Sequence, residues 1–531
     1  MKVFLKIFIF FLITTAFSQT EPQEFKNPIL TGFHPDPSIC RVGDDYYLVN
    51  STFVWYPGIP IYHSKDLVNW KLIGHGIQRK EQLNFDGVID KFGIFAPTIR
   101  YHNGMFYITS TCVECEGNFY ITAKDPSGPW SDPVFLKDAS GVDPSLFWDT
   151  DGKSYYIGTT RPETSEWLNQ GEVWMQEIDL KKGKLFGERK VLTYGHANNA
   201  SFPESPHIYK VNGKYVLLIS EEGTEKNHAV TVHHSDSLWG PYVTDYVNPV
   251  MTHRHLGINY PVQAIGHADL VETQNGEWWS VVLGKRMIDG KFTLGRETFL
   301  AKVEFQDQTP IFNPEVGKVV LNQKRPDLPW SPVKENSTTD NFDKDELKAD
   351  WSFIRTPQKE FYTLKNEKLC IKGLPETIDS LVNTSMLLKR IKDFNFLAST
   401  ELNFKSKSPK EQAGLVIYRT NNTYYYFAKQ KDKIVIIKKF KGEKEIVAEA
   451  PYAQKNVFLE VEGNGLEIQF KYGSSKEELK LLGEIQSLEV IADGNGNQFN
   501  GPGIGIYATG NGKQNSKPAC YNSFTYKKLK K

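Results

Sequence analysis

From about residue 27 to 320, apolar and polar positions alternate in short runs broken by Gly, Asn, Asp and Pro, with almost no helical period. That pattern predicts strands joined by tight turns. One arrangement recurs five times: a small or acidic residue, usually a proline, an apolar run, a turn, then an aromatic-rich strand. The copies begin Asp36-Pro37-Ser38-Ile39, Ala96-Pro97-Thr98-Ile99, Asp143-Pro144-Ser145-Leu146, Ser205-Pro206-His207-Ile208 and His267-Ala268-Asp269-Leu270. Turns such as His102-Asn103-Gly104 and Val211-Asn212-Gly213-Lys214 follow the first strand and have hairpin chemistry. The starts lie 47 to 62 residues apart, too wide for a solenoid but right for propeller blades with enlarged loops. A five-bladed β-propeller over residues 27–320 is expected.

Pro-rich, polar sequence from Arg325-Pro326 to Thr338-Thr339 reads as a linker over 321–339. Beyond it the strands continue without a repeat: Gly414–Tyr418, Tyr424–Phe427, Ile434–Ile437, Leu466–Phe470 and Gly503–Tyr507. Roughly ten strands without helices argue for a β-sandwich over 340–531. Its apolar faces, such as Leu415/Ile417 and Val435/Ile437, must be covered. The expectation is that the sandwich supports the propeller rather than binding polymer by itself.

A chain of 531 residues fits this two-domain reading. Lys plus Arg equals Asp plus Glu, and the short basic tail Lys527-Lys528-Leu529-Lys530-Lys531 is a solvated end, so no field for nucleic acid is built. Aromatics at 13% suit a β-rich protein and equally a sugar binder. Lys2 and Lys6, the apolar run Ile7–Ile13 and Ala16-Phe17-Ser18 predict an export signal over residues 1–18, too short to span a membrane. The mature chain is expected in the periplasm or the medium. Five cysteines make no disulfide framework. Cys112-Val113-Glu114-Cys115 is read as a loop feature, a local disulfide at most, rather than a zinc or redox motif.

Equivalent blade positions converge on the propeller axis, which gathers Asp36, Asp143, Glu204 and His267. Asp-Pro is also ordinary turn chemistry. Hydrolysing a glycosidic bond, however, needs one carboxylic acid for the leaving oxygen and a second carboxylate acting on water or on the sugar. Asp36 and Glu204 face each other from separate blades, with room for a water, and this favours inversion. Asp36 is then the general base and Glu204 the general acid. Asp143 orients the substrate and raises the acid's pKa through its charge.

His34-Pro35-Asp36-Pro37-Ser38, Gly141-Val142-Asp143-Pro144-Ser145 and Phe202-Pro203-Glu204-Ser205-Pro206-His207 resemble the base, modulator and acid motifs of glycoside hydrolase family 43. Gly93-Ile94-Phe95-Ala96-Pro97-Thr98, Gly266-His267-Ala268-Asp269-Leu270 and Gly295-Arg296-Glu297-Thr298-Phe299 extend the resemblance across residues 27–320. The C-terminal part resembles the concanavalin-like sandwich of the β-xylosidase-like members. The resemblance implies an all-β fold, inverting exo-hydrolysis of xylosides or arabinosides, and no required cofactor. It places Arg296 in the sugar pocket. For His267 it leaves open a sugar contact or a structural calcium held through water, beside the plain reading of a core histidine. Phe53 and Phe95 are candidate substrate-binding aromatics, Phe95 standing where the family often has Trp. The Cys112–Cys115 turn replaces a polar or Gly-rich loop at the pocket rim.

The leading expectation is an exported exo-β-xylosidase acting on oligosaccharides with terminal xylose. An α-L-arabinofuranosidase is the alternative, because the two sugars present similar atoms. A non-catalytic carbohydrate-binding propeller is the reading from a different class, and the presence of all three acids disfavours it.

Overall fold

The computed structural model describes residues 21–334, 337–494 and 499–530. The export signal expected over 1–18 lies outside the described residues. Five antiparallel sheets form the propeller. Their inner strands are Ser38–Val42, Thr98–His102, Val142–Trp148, Glu204–Val211 and Val262–Glu272, and each contacts the next around a ring. The Asn-Gly turns do what their residues allow. Asn103 (φ 47°) and Gly104 (φ 80°), like Asn212 (51°) and Gly213 (82°), are both left-handed, the geometry that matches hairpin twist.

The segment leading into the first blade pairs with the fifth, Leu30 with Thr298 and His34 N with Arg296 O (2.9 Å). Asp269 of the fifth blade ties the ring further. Its carboxylate accepts from Ser38 Oγ (2.6 Å) and Ile39 N (3.0 Å) of the first blade. It also accepts from Arg100 Nη1 (2.8 Å) of the second and Tyr209 OH (2.6 Å) of the fourth. Burial pushes this carboxyl up, but Arg100 and its other partners hold it well below the usual range.

The second domain is a sandwich of a nine-stranded and a six-stranded sheet, with no α-helix among the described residues. The roughly ten strands expected were too few, because two-residue strands such as Lys480–Leu481 and Gln486–Ser487 show no alternation. The segment expected as a linker is strapped down. Asn322–Lys324 pairs with Glu24–Lys26, Leu328 is buried, and Ser331 N donates to Asp66 Oδ2 (2.9 Å).

The domains share one core. Strand Trp55–Tyr56 of the propeller pairs with Phe353–Ile354 beyond it, and Val54, Trp55 and Ile94 belong to the same buried cluster as Leu388, Ile417 and Ile504. Polar contacts fix the angle between them: Tyr418 OH to Asp90 Oδ1 (2.7 Å) and Arg390 Nε to Phe33 O (2.7 Å). Two disulfides occur, Cys112–Cys115 and Cys370–Cys520, and Cys40 is free and buried. The second joins neighbouring strands 150 residues apart, a pairing that spacing could not suggest.

Candidate active site

The axial carboxyls stand where inner strands begin, on backbone that few side chains adopt. Asp36 (φ 51°), Asp143 (55°), Ser205 (48°) and His267 (49°) are all left-handed. In three blades the strand register slips at the same place: between Val142 and Ser145, Glu204 and His207, and Gly266 and Asp269. Such bulges re-aim a side chain out of the pleat. Gly141 makes the third-blade bulge possible: at φ 89°, a Cβ there would sit 1.5 Å from Thr159 O. The result is three acids near enough to perturb one another.

Their surroundings differ. Both oxygens of Asp36 accept hydrogen bonds, Oδ1 from Arg296 Nη1 (2.6 Å) and Oδ2 from Ser51 Oγ, and His267 Nδ1 lies 3.8 Å from Oδ1. Oε1 of Glu204 is buried and has no donor; His228 Nε2 lies 3.9 Å away. The Glu204 side chain keeps 21% exposure, so the acid still opens to the pocket. Burial pushes its carboxyl well above the ordinary range, and the charges of Asp143 and then Asp36 push it further against Arg296. The Asp143 charge expected from sequence acts in the expected direction, and burial adds a larger effect in the same direction. Asp143 is itself raised to about 6, by burial and then Asp36. His267, the Ser205 N–H (3.3 Å) and Arg296 oppose that rise.

The Arg296 guanidinium, expected in the sugar pocket, is engaged with the Asp36 carboxylate and, through Nη2, with Phe499 O (3.1 Å). Phe499 comes from the sandwich. Its ring stacks on Phe53 (6.2 Å, 7° between planes) and tilts against Phe95 (5.9 Å). Described residues on either side of Phe499 in sequence make polar contacts to the propeller. On one side Asp493 meets Lys285 Nζ (2.8 Å) of the propeller and Arg419 of the sandwich. On the other, Asn500 Oδ1 accepts from Trp55 Nε1 (2.8 Å).

Phe95 is half-buried and packs against Phe53, Phe92 and Phe499. Phe53 is only 1% exposed, packed among Phe33, Phe95 and Phe499, so it supports the wall and offers no face to a sugar. His267 lies beside Asp36. Calcium takes six to eight oxygen ligands, whereas the neighbours of His267 include the Arg296 guanidinium, and no group of three His, Cys, Asp or Glu suited to a metal occurs among the described residues. The donor set does not fit that ion. Sequence reasoning missed Ser51, His228 and Phe499. The first two carry no repeat signal, and the third lies in the other domain.

Residues 25–310 match the profile of glycosyl hydrolases family 43, and residues 339–527 match the β-xylosidase C-terminal concanavalin A-like domain. The chain is 40% identical over 528 residues to a xylosidase/arabinosidase of Butyrivibrio fibrisolvens, covering 95% of this chain and 99% of that one. It is 38% identical to a non-reducing end α-L-arabinofuranosidase of Bacteroides ovatus, covering 96% and 95%. The crystal structure of a xylan β-1,4-xylosidase from Bacillus halodurans superposes with a TM-score of 0.89 at 32% identity, covering 95% of this chain and all of that one. The chain belongs to glycoside hydrolase family 43, whose members hydrolyse glycosides with inversion.

Proposed function

We propose that this protein is an exported exo-β-xylosidase that releases the non-reducing-end xylose of oligosaccharides, with Asp36 as base and Glu204 as acid. One observation carries the assignment of roles: two donors engage Asp36, and none reaches the buried oxygen of Glu204. A carboxylate suits the first environment and a neutral carboxylic acid the second. Asp36 takes a proton from water as the oxygen attacks the anomeric carbon. Glu204 gives its proton to the departing glycosidic oxygen, and the sugar leaves with inverted configuration. Asp143, close to both, holds the acid's pKa up and orients the sugar. Exo action is supported by the wall that Phe499 and Phe95 raise on one side of the pocket, which suits a chain end better than a chain middle.

An α-L-arabinofuranosidase is the second reading, favoured by the Bacteroides ovatus relative. Steady-state rates on paired aryl β-xylosides and aryl α-arabinofuranosides decide between them. The proposal expects the larger kcat/KM on the xyloside, and the reverse order would assign the arabinofuranosidase.

A further inference from the structure

His228, at the start of strand Ala229–Ser235, has no solvent exposure, and its Nδ1 lies 3.1 Å from the Ala264 carbonyl oxygen. A carbonyl only accepts, so Nδ1 carries the proton. Burial pushes the imidazole down to about 3, which leaves Nε2 as a bare lone pair. That lone pair faces Oε1 of Glu204 across 3.9 Å, and both atoms are buried without another hydrogen-bond partner. The ring has space there only because residue 266 is glycine: a Cβ at Gly266 would lie 2.3 Å from Nε2. Buried polar atoms left facing each other call for a reason.

We propose that His228 is a positioning residue that holds the proton of the acid between turnovers. In the free enzyme Oε1 of Glu204 carries the proton and donates it to Nε2. A carboxyl movement of about 1 Å brings the pair to hydrogen-bond length. When substrate binds, the carboxyl turns about its Cγ–Cδ bond and presents the same proton to the glycosidic oxygen. His228 neither gains nor loses a proton over the cycle. The proposal rests on the reading of Glu204 as the acid. Asp143, Asp36 and Arg296 are the other charged groups facing Glu204, and His267, Asp36 and Arg296 are those facing His228. The two aspartates favour a neutral Glu204 through charge, whereas His228 alone offers the proton an acceptor.

The test is the pH profile of kcat/KM, which reports the free enzyme, on an unactivated β-xyloside. His228→Phe keeps a flat ring without an acceptor and is expected to move the alkaline limb down by about one pH unit. His228→Leu carries the same expectation should the larger ring not fold. His228→Gln, whose amide oxygen accepts, is expected to stay close to the parent limb. An unmoved limb in the Phe and Leu variants, or an equal shift in the Gln variant, would overturn the proposal. Glu204→Gln tested on activated and unactivated substrates reports separately on the underlying reading. Losses that depend on the leaving group there, with an unmoved His228→Phe limb, would reject only the role of His228.

Discussion

Asp36 and Glu204 are chemically alike, and what separates them is what surrounds their oxygens: Arg296 and Ser51 on one, a histidine nitrogen and no donor on the other. Their substitutions should therefore fail differently. Glu204→Gln should lower kcat about 10³-fold on xylobiose, yet less than about tenfold on a dinitrophenyl xyloside whose leaving group scarcely needs a proton. Asp36→Asn should abolish both rates, since water must be activated whatever departs. Rescue of Asp36→Asn by the better leaving group would show that the two roles are exchanged. Asp143 makes a second, thermodynamic prediction. Its carboxyl is raised to about 6 in the fold, against ~3.9 in an unfolded chain, so folding favours the neutral form. Near pH 4 and below it costs little. Between pH 4 and 6 the unfolded chain ionises first and stability falls, and above 6 the full cost of about 2–3 kcal/mol remains. Asp143→Asn should accordingly stabilise the protein by about that much at pH 7.5, with the gain shrinking toward zero at pH 4. The same variant should lose activity and move the alkaline limb of the rate profile down, because Glu204 loses a like charge. Denaturant titrations at the two pH values measure the first effect, and no gain at pH 7.5 would contradict it.

Elements carry the site through bulges and a borrowed loop. The hairpins were legible because Asn-Gly at 103–104 and 212–213 specifies its own backbone. The bulges that turn Asp143 and Glu204 inward were not, since a residue in left-handed conformation beside proline leaves no mark in hydrophobic alternation. Phe499 was illegible for a related reason: it comes from the other domain, and no periodic pattern links it to the propeller residues it meets. Its effect is separable from that of the buried ion cluster around Asp493. Phe499→Ala should raise KM and lower kcat/KM about tenfold with little change in melting temperature, because it removes one aromatic of the wall. Asp493→Asn should cost about 3–5 kcal/mol of stability, because Lys285 and Arg419 stay buried with a weakened partner. Thermal melts beside steady-state kinetics distinguish them, and a stable Asp493→Asn variant would contradict the cost assigned to the cluster.

For the molecule as a whole, repeat spacing made the propeller readable and alternation made the sandwich readable, but neither could show that the two form one pocket. The shared core around Trp55, the strand pair Trp55–Tyr56 with Phe353–Ile354, and Phe499 against Arg296 make the second domain part of the site. On the proposed reading, the base Asp36 and the acid Glu204 come from separate blades and act on a water and on the glycosidic oxygen. The most direct test is proton NMR of the first product released from a β-xyloside, recorded before mutarotation. The account predicts α-xylose at early times, equilibrating later to the mixture; β-xylose as the first product would contradict it.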